Sequence, residues 1–186
     1  MRLVFMLEER SMKELLDGIL PRILPEGVSF ITIAHDGKSD LEKSLPIKLK
    51  AWREPDVAFI VVHDQDANDC KQLKQRLTTL CAGYGKRVMI RIPCHELEAW
   101  YWGDLQAVSI AYGRDITALQ RRKQYREPDI IENPKWELKR YIPELGQIDG
   151  ARRIAPYMNI QGNTSYSFGV FVRGIQTLCQ ERMSVG

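Results

Sequence analysis

VAFIVVHDQDANDC, residues 57–70, is the stretch of this sequence that decides the fold. Its first seven residues are almost all apolar and mostly β-branched or aromatic, which is typical of a strand buried on both faces in a parallel sheet. Asp64, Asp66 and Asp69 follow at the end of this strand, where α/β folds place their ligand sites. Like charges held within ~4–6 Å oppose folding unless a cation neutralises them. The stretch therefore predicts a divalent metal site.

On both sides of this stretch, short apolar runs alternate with amphipathic segments. Runs at 3–7, 28–34 and 88–92 predict three further strands, and the segments between strands carry apolar residues at helical spacing. Strands separated by helices of about ten residues are typical of parallel βαβ units. We therefore expect an α/β fold in which residues 1–104 form a mostly parallel four-stranded central sheet flanked by helices.

The rest of the chain, residues 105–186, is predicted to be a helical extension packed on this core. Residues 112–128 hold five basic and few apolar residues, so we expect a mobile basic loop there. Apolar residues near the C-terminus fall on one helical face and would dock a last helix onto the core: Phe168, Phe171, Val172, Ile175, Leu178 and Cys179. At 186 residues, the chain is expected to form a single compact domain.

The composition is ordinary for a globular protein, with 44% apolar residues, 27% charged residues and a net charge of +3. That charge permits nucleic acid as a partner without indicating it.

The four cysteines form no CxxC pair, which disfavours a zinc ribbon, and we interpret them as reduced thiols. Because no apolar run approaches ~20 residues and the N-terminus lacks a signal-peptide core, we expect a cytoplasmic protein with no membrane partner.

Acidic residues also follow the first and the fourth predicted strands. Glu8 ends the first strand, so in a parallel sheet it lies on the same edge as Asp64 and Asp66. Alternation in an extended segment would point Asp64 and Asp66 to the same side, where both can reach one cation. Glu98, just inside the helix after the fourth strand, is a candidate further ligand or water-orienting carboxylate. Such a set of acids, without a His/Cys cage, fits Mg²⁺ or Mn²⁺.

A Mg²⁺ bound at this site would polarise a phosphoryl oxygen and lower the pKa of an attacking water, chemistry that suits hydrolysis of a phosphate ester. Lys38 lies in a glycine-containing turn after the second strand and could hold a phosphate, although a plain turn explains the HDGKSD stretch equally well. In the basic segment, Arg121, Arg122 and Lys123 are candidate nucleic-acid contacts or simply part of a solvated loop.

The remaining candidates near the predicted edge are accessory: His35, His63, Asp69 and Glu96. The two histidines suit proton transfer, or else turn and strand-end positions. The aspartate is better explained as the cap of the following helix. Glu9 is interpreted as a solvated acid of a first helical turn. Trp100 and Trp102 fit a buried core better than a base-stacking platform, because their neighbours are apolar.

A strand-terminal glutamate followed by a strand-terminal DxD resembles the TOPRIM domain of topoisomerases, primases and OLD-type nucleases. In that family, a Glu after the first strand and a DxD after the third bind magnesium. The matching residues here are Glu8 in FMLEER and Asp64 and Asp66 in VVHDQDAND. One departure is Glu9, since the family usually has glycine after its glutamate. The resemblance implies a TOPRIM-like fold with Mg²⁺ bound by these three acids.

Nearly the whole chain is also similar to a TOPRIM-like family of unknown function that is often encoded beside ATPases in bacterial anti-phage loci. The similarity is carried by LEERSMKELL, HDGKSDL, HDQDANDC with the Lys-rich helix after it, RIPCHELEAWYWGD and TSYSF. This resemblance implies a metal-dependent nuclease that acts on nucleic acid, is the effector of an antiviral defence system, and has an ATPase from the same locus as its partner.

Two alternatives stay open from the sequence. A DxD after an apolar strand also occurs in haloacid-dehalogenase-like phosphatases and nucleotide-sugar glycosyltransferases. The phosphatases, however, place the motif on their first strand and have Thr or Val where this chain has Asn68. The second alternative is a non-catalytic subunit that binds an ATPase or nucleic acid and keeps its acids as a vestigial metal site.

Overall fold

Four strands form one sheet in the computed structural model, which describes residues 1–183, with side chains through residue 181. The strands are β1 (Arg2–Leu7), β2 (Ser29–Ala34), β3 (Val57–Val62) and β4 (Arg87–Arg91). Their order is β2-β1-β3-β4, and every neighbouring pair is parallel. The prediction of a mostly parallel four-stranded sheet is therefore confirmed, and the sheet is parallel throughout.

The two central strands, β1 and β3, are the most buried part of the sheet. In each of them every residue after the first is buried, as expected for strands covered on both faces. Their register pairs Leu7 with Val62, so the two strands end at the same level. Glu8 and His63, the next residue of each strand, are consequently brought side by side.

Eight α-helices are found in the described residues. They are α1 (Arg10–Ile19), α2 (Lys38–Ala51), α3 (Cys70–Cys81), α4 (Glu98–Trp102), α5 (Leu105–Tyr112), α6 (Pro134–Lys139), α7 (Gln147–Ile154) and α8 (Tyr166–Met183). Leucines of α2 and α3 pack on one face of the sheet against Val4, Met6, Phe59 and Val61. None of the helices within the described chain is long and apolar enough to cross a membrane.

The opposite face of the sheet carries the larger core, which α1 shares with the helices that follow β4. Phe171 of α8 lies between the rings of Phe5 and Trp100, with centroids at 6.5 Å and 5.0 Å. All six residues predicted to form the docking face of the last helix are buried. Trp100 and Trp102 are fully buried as well, as the core interpretation expected.

The segment expected to be a mobile basic loop is instead built from short 3₁₀ helices at Thr117–Arg121, Lys123–Tyr125 and Pro128–Ile130. Its few apolar side chains anchor it: Leu119 and Tyr125 are buried, and the Tyr125 ring stacks on Trp102 with centroids 4.3 Å apart. The loop prediction was wrong because helical and strand periodicity do not detect a segment that is held by a few well-placed side chains.

Candidate acidic site at the carboxyl edge of the sheet

The acidic site lies at the point where the strand order switches from one side of β1 to the other. From β1 the chain proceeds to β2 on one side, and β3 then pairs with the other side of β1. In open α/β sheets, a crevice forms at this switch point beyond the carboxyl ends of the two strands, and ligands bind there. Glu8 follows β1 and Asp64 closely follows β3, so both stand at the mouth of this crevice.

Glu8 and Asp64 are in direct contact. The Asp64 backbone N–H donates a hydrogen bond of 3.0 Å to Oε2 of Glu8. The Glu8 N–H in turn donates to the Val62 carbonyl oxygen at 3.2 Å, which extends the β1–β3 ladder by one residue. The Glu8 side chain is 15% exposed, so it is largely shielded but still reaches solvent.

His63 supports this pair from inside the protein and has no exposed surface. Its Nδ1 lies 2.7 Å from the Asp64 carbonyl oxygen and 3.2 Å from Oε2 of Glu8. Because a carbonyl oxygen only accepts hydrogen bonds, Nδ1 carries the ring proton. Nε2 lies 3.4 Å from Glu42 Oε1, an atom that also accepts a hydrogen bond from Arg76 at 2.7 Å. His63 therefore holds Glu8 and the Asp64 backbone in place and does not face the crevice.

The carboxyl groups of the site perturb one another. Burial raises the pKa of Asp64 well above its ordinary value, and the charges of Glu8, Glu9, Glu98 and Asp66 raise it further. Burial also raises the pKa of Glu8, while His63 and the hydrogen bond from the Asp64 amide oppose that shift. Each carboxylate is thus costly to ionise beside the others, and a cation bound among them would relieve this cost.

Asp66 is placed differently from the expectation. The strand ends at Val62, and Asp66 adopts the left-handed backbone conformation with φ of 50°. Its N–H donates to the His95 carbonyl oxygen at 2.8 Å, which joins the loops that follow β3 and β4. Its carboxylate lies 3.1 Å from the ammonium of Lys38. The extended alternation that we expected to align Asp64 with Asp66 is therefore absent, because the chain enters a turn at Asp66.

Glu98 is buried just inside α4 and is 6% exposed. Burial raises its pKa to about 7; Lys135 opposes the shift, and Glu96 and Glu9 add to it. The structure thus brings the Glu98 charge close enough to act on Asp64, as the metal-site hypothesis requires.

Two further residues of the site were missed by the sequence interpretation. Glu9, expected to be a solvated acid, has a charge that acts on Glu8, Asp64 and Glu98. Tyr101 is buried, its hydroxyl has no hydrogen-bond partner within the described residues, and the charges of Glu98, Glu9 and Asp64 contribute to a raised pKa. Glu9 could have been found from its position directly after Glu8, whereas no sequence signal distinguishes Tyr101 from a core aromatic residue.

Three of the accessory candidates make structural contacts. The Asp69 carboxylate accepts a hydrogen bond of 2.9 Å from the Gln72 N–H and caps α3, as the helix-cap interpretation expected. His35 is buried between the Leu7 carbonyl oxygen and the Ser44 hydroxyl, each at 2.8 Å. Glu96 accepts a hydrogen bond from the Lys135 N–H at 3.3 Å.

The basic candidates lie on the protein surface. Arg121, Arg122 and Lys123 are exposed in the 3₁₀ segment rather than within the crevice. Arg122 donates to the hydroxyl of Tyr141 at 3.3 Å.

Carboxylate oxygens are the ligands that Mg²⁺ and Mn²⁺ prefer, so the donor set fits such an ion chemically. Across residues 1–183, however, no group of three or more His, Cys, Asp or Glu side chains is already arranged to hold a metal. Two contacts account for this: Glu8 accepts from the Asp64 amide, and Asp66 pairs with Lys38. The acids are neighbours but do not converge on one point.

A cleft of about 480 Å³ opens beside Asp66 and is lined by Gln65, Asp66, Ala67, Asn68, His95, Glu96, Glu132 and Asn133. Three of these residues are acids, Asp66, Glu96 and Glu132, and Asn133 places one end of the cleft beside the start of α6. A larger groove, of about 600 Å³, lies along β4 between α3 and α8 and contains none of the acids of the site. The smaller cleft is therefore the one connected to the chemistry.

Comparison with known proteins places the chain in a family but gives it no activity. Neither the curated proteins nor the solved structures contain a match to this chain. A family model described as "Domain of unknown function (DUF4276)" matches residues 7–176, a range that includes Glu8, both aspartates of the DxD and Glu98. Since this match covers most of the 186 residues, the chain belongs to the DUF4276 family.

Proposed function

We propose that this protein is a Mg²⁺- or Mn²⁺-dependent nuclease that hydrolyses phosphodiester bonds. The observation that carries the proposal is the contact between Glu8 and Asp64 at the β1–β3 switch point, where burial raises the pKa of both carboxyl groups and the charges of neighbouring acids raise it further. A crowded set of acids at a ligand-binding edge is a candidate functional site, because such repulsion destabilises the fold unless a ligand relieves it.

In this proposal, Glu8, Asp64 and Asp66 hold the metal. When bound, a divalent ion would polarise the phosphoryl oxygen and lower the pKa of an attacking water. Glu98 would orient that water from its buried position just inside α4. Lys38, freed from Asp66, would bind a phosphate oxygen next to the scissile bond, since its ammonium already faces the site.

We further propose that the domain is of TOPRIM type and acts in the cytoplasm as the effector of an ATPase-linked anti-phage system. Support comes from the arrangement of the acids, with a glutamate after β1 and a DxD after β3 on adjacent parallel strands. The same arrangement was the basis of the resemblance to TOPRIM nucleases.

A second candidate function is a non-catalytic subunit that binds an ATPase or nucleic acid and retains a vestigial metal site. The contact between Lys38 and Asp66 favours it, because the ammonium lies 3.1 Å from a carboxylate oxygen and occupies the position of a cation. In such a protein the lysine would neutralise the acids permanently.

The test compares plasmid and single-stranded DNA degradation in Mg²⁺ or Mn²⁺ by the wild type and by the double variant Asp64→Ala, Asp66→Ala. We expect cleavage to fall at least about a hundredfold in the double variant, because metal-binding acids are removed. Asp69→Asn is the matched control: it removes a charge from the same loop but retains the helix cap, so cleavage should stay at the wild-type rate.

Far-UV circular dichroism would verify that the double variant is folded. Equal cleavage by the wild type and the double variant would overturn the nuclease proposal. Titration calorimetry with Mn²⁺ separates the two candidate functions, because a vestigial site would show no binding that depends on Asp64.

A further inference from the structure

Trp136 is an unusually exposed aromatic residue. Its relative exposure is 62%, whereas Trp100 and Trp102 are fully buried and Trp52 packs edge-on against Phe59. A large exposed aromatic ring is costly to leave in water, and such rings commonly mark a binding surface. The tryptophans that the sequence drew attention to belong to the core, and the most exposed of the four lies in α6.

Trp136 is held in a fixed position by charged neighbours. The Arg140 guanidinium, one helical turn further on, lies 5.3 Å from the centre of the indole ring and covers one side of it. Arg140 is also paired with Glu137 at 3.0 Å, and Glu137 accepts a hydrogen bond from the buried Tyr125 hydroxyl at 2.7 Å. Because these contacts tie α6 to the core, the free side of the indole is presented as a preorganised flat surface.

Basic residues outnumber acids around this ring, seven to four over residues 121–140. Residues 134–140 contain three basic residues and one acid, and that acid is already paired. Residues 121–126 contain four basic residues and no acid, and all four are exposed. The two segments are joined by the contacts of Tyr125 with Glu137 and of Arg122 with Tyr141. The exposed indole is therefore set in a positively charged surface.

This surface is continuous with the acidic site. The Lys135 N–H, next to Trp136 in the chain, donates a hydrogen bond to Glu96, and the Lys135 charge acts on Glu98. The cleft beside Asp66 extends to Asn133, which immediately precedes α6. A strand lying on α6 would thus reach the acids through the cleft.

We propose that Trp136 is a base-stacking platform that, with Arg140 and the basic residues of 121–126, binds single-stranded nucleic acid and leads it to the acidic site. The path to cleavage rests on the proposed nuclease function, but the binding does not. A base can stack on an indole only when it is free of its pairing partner, so the occupant is a single strand rather than a duplex. The exposed cations of residues 121–126 complement the phosphates of a polyanion, and the free face of the indole offers a base a place to stack.

The experiment measures fluorescence anisotropy of labelled oligothymidylate and oligouridylate of about 20 nucleotides, each against its duplex, in EDTA so that no cleavage occurs. We expect Trp136→Ala to weaken single-strand binding by about fivefold to a hundredfold, because stacking on an aromatic ring is lost. Trp136→Phe should stay within about threefold of the wild type, because it keeps a ring for stacking. Tyr157→Ala, which removes a 49% exposed aromatic ring elsewhere on the surface, is the control and should bind as the wild type does.

Three results would each overturn the proposal that Trp136 is a base-stacking platform: unchanged binding by Trp136→Ala, tighter binding of the duplex than of the single strand, or no binding at all. Loss of binding in Trp136→Ala together with absent cleavage by the wild type would support the platform and remove only the nuclease proposal. Weak binding by both Trp136→Ala and Trp136→Phe would also count against stacking, since a phenyl ring should preserve it.

Discussion

Glu98 shows how a single buried carboxyl group links the stability of this protein to its proposed chemistry. Glu98 is buried at the first residue of α4. The charges of Glu9 and Glu96 act on it, and its own charge acts on Asp64. Burial is the main cause of the rise in its pKa, Glu96 and Glu9 add to it, and Lys135 opposes it. Glu98 is therefore the residue at which the cost of ionising a buried acid of the site should be easiest to measure.

Glu98→Gln is predicted to make the protein more stable at high pH but not at low pH. The pKa of Glu98 is raised from 4.5 to about 7, so between these values the folded chain holds a proton that the unfolded chain has lost. Stability consequently falls as pH rises through this window, by roughly 3 kcal/mol in total, and stays low above it. Glutamine mimics the protonated carboxyl group, so the variant should not lose this stability as pH rises.

Urea denaturation of both proteins in EDTA, at pH 4 and at pH 8, checks this prediction. The two proteins should differ little in stability at pH 4, and the variant should be the more stable at pH 8. Identical pH profiles for the wild type and the variant would show that Glu98 ionises freely in the folded protein.

At the scale of elements, the loop between β3 and α3 gives three aspartates three different environments. The Asp64 backbone N–H donates a hydrogen bond to Glu8, the Asp66 carboxylate pairs with Lys38, and the Asp69 carboxylate caps the helix that follows. The cap satisfies the Gln72 N–H, which would otherwise lack a partner at the start of α3. Neighbouring residues of one type thus make different contacts, and only that of Asp69 caps a helix.

Asp69→Ala should lower the free energy of unfolding by about 1 kcal/mol, because an α-helix loses its N-terminal cap. Asp69→Asn should change it by no more than a few tenths of a kcal/mol, since asparagine caps equally well. Chemical denaturation of the three proteins at neutral pH gives the comparison. A loss of stability in the asparagine variant as large as that in the alanine variant would mean that the charge of Asp69, rather than its hydrogen bond, stabilises the loop.

At the scale of the whole molecule, the parallel sheet and the later helices share one core. On the face covered by α1, side chains of β1 and β3 lie in the same buried cluster as those of α4 and α8. Residues 1–104 alone would lack the part of this cover that α8 and the other later helices provide. The two parts predicted from the sequence, residues 1–104 and 105–186, should therefore behave as one cooperative unit.

Phe171→Ala is predicted to destabilise the entire protein rather than only α8. Its ring lies between Phe5 of β1 and Trp100 of α4, so its removal leaves a cavity and should lower the free energy of unfolding by about 3–5 kcal/mol. Thermal unfolding followed by far-UV and by near-UV circular dichroism should give one coincident transition in both proteins, with a lower midpoint in the variant. Two separate transitions in either protein would show that the helical extension unfolds independently.

Much of the fold was predictable from the sequence because it depends on local patterns. The apolar runs located all four strands to within about one residue, since β1 and β3 are continuous apolar segments buried on both faces and β2 and β4 are less buried, mainly apolar segments at the sheet edges. Parallel topology then required Glu8 and the Asp64–Asp66 segment to share an edge. The basic segment was mispredicted, because Leu119 and Tyr125 hold it through contacts that no periodic pattern reveals.

The sequence by itself determined the strands, the parallel sheet and the edge at which the acids collect, because these follow from periodicity and chain direction. Only the tertiary structure decided that Glu8 touches Asp64, that Glu9 and Tyr101 belong to the site, and that Asp66 turns to Lys38. It also decided that Trp136 rather than Trp100 or Trp102 meets solvent. These outcomes depend on distances between residues far apart in the chain, which packing sets and local composition does not encode.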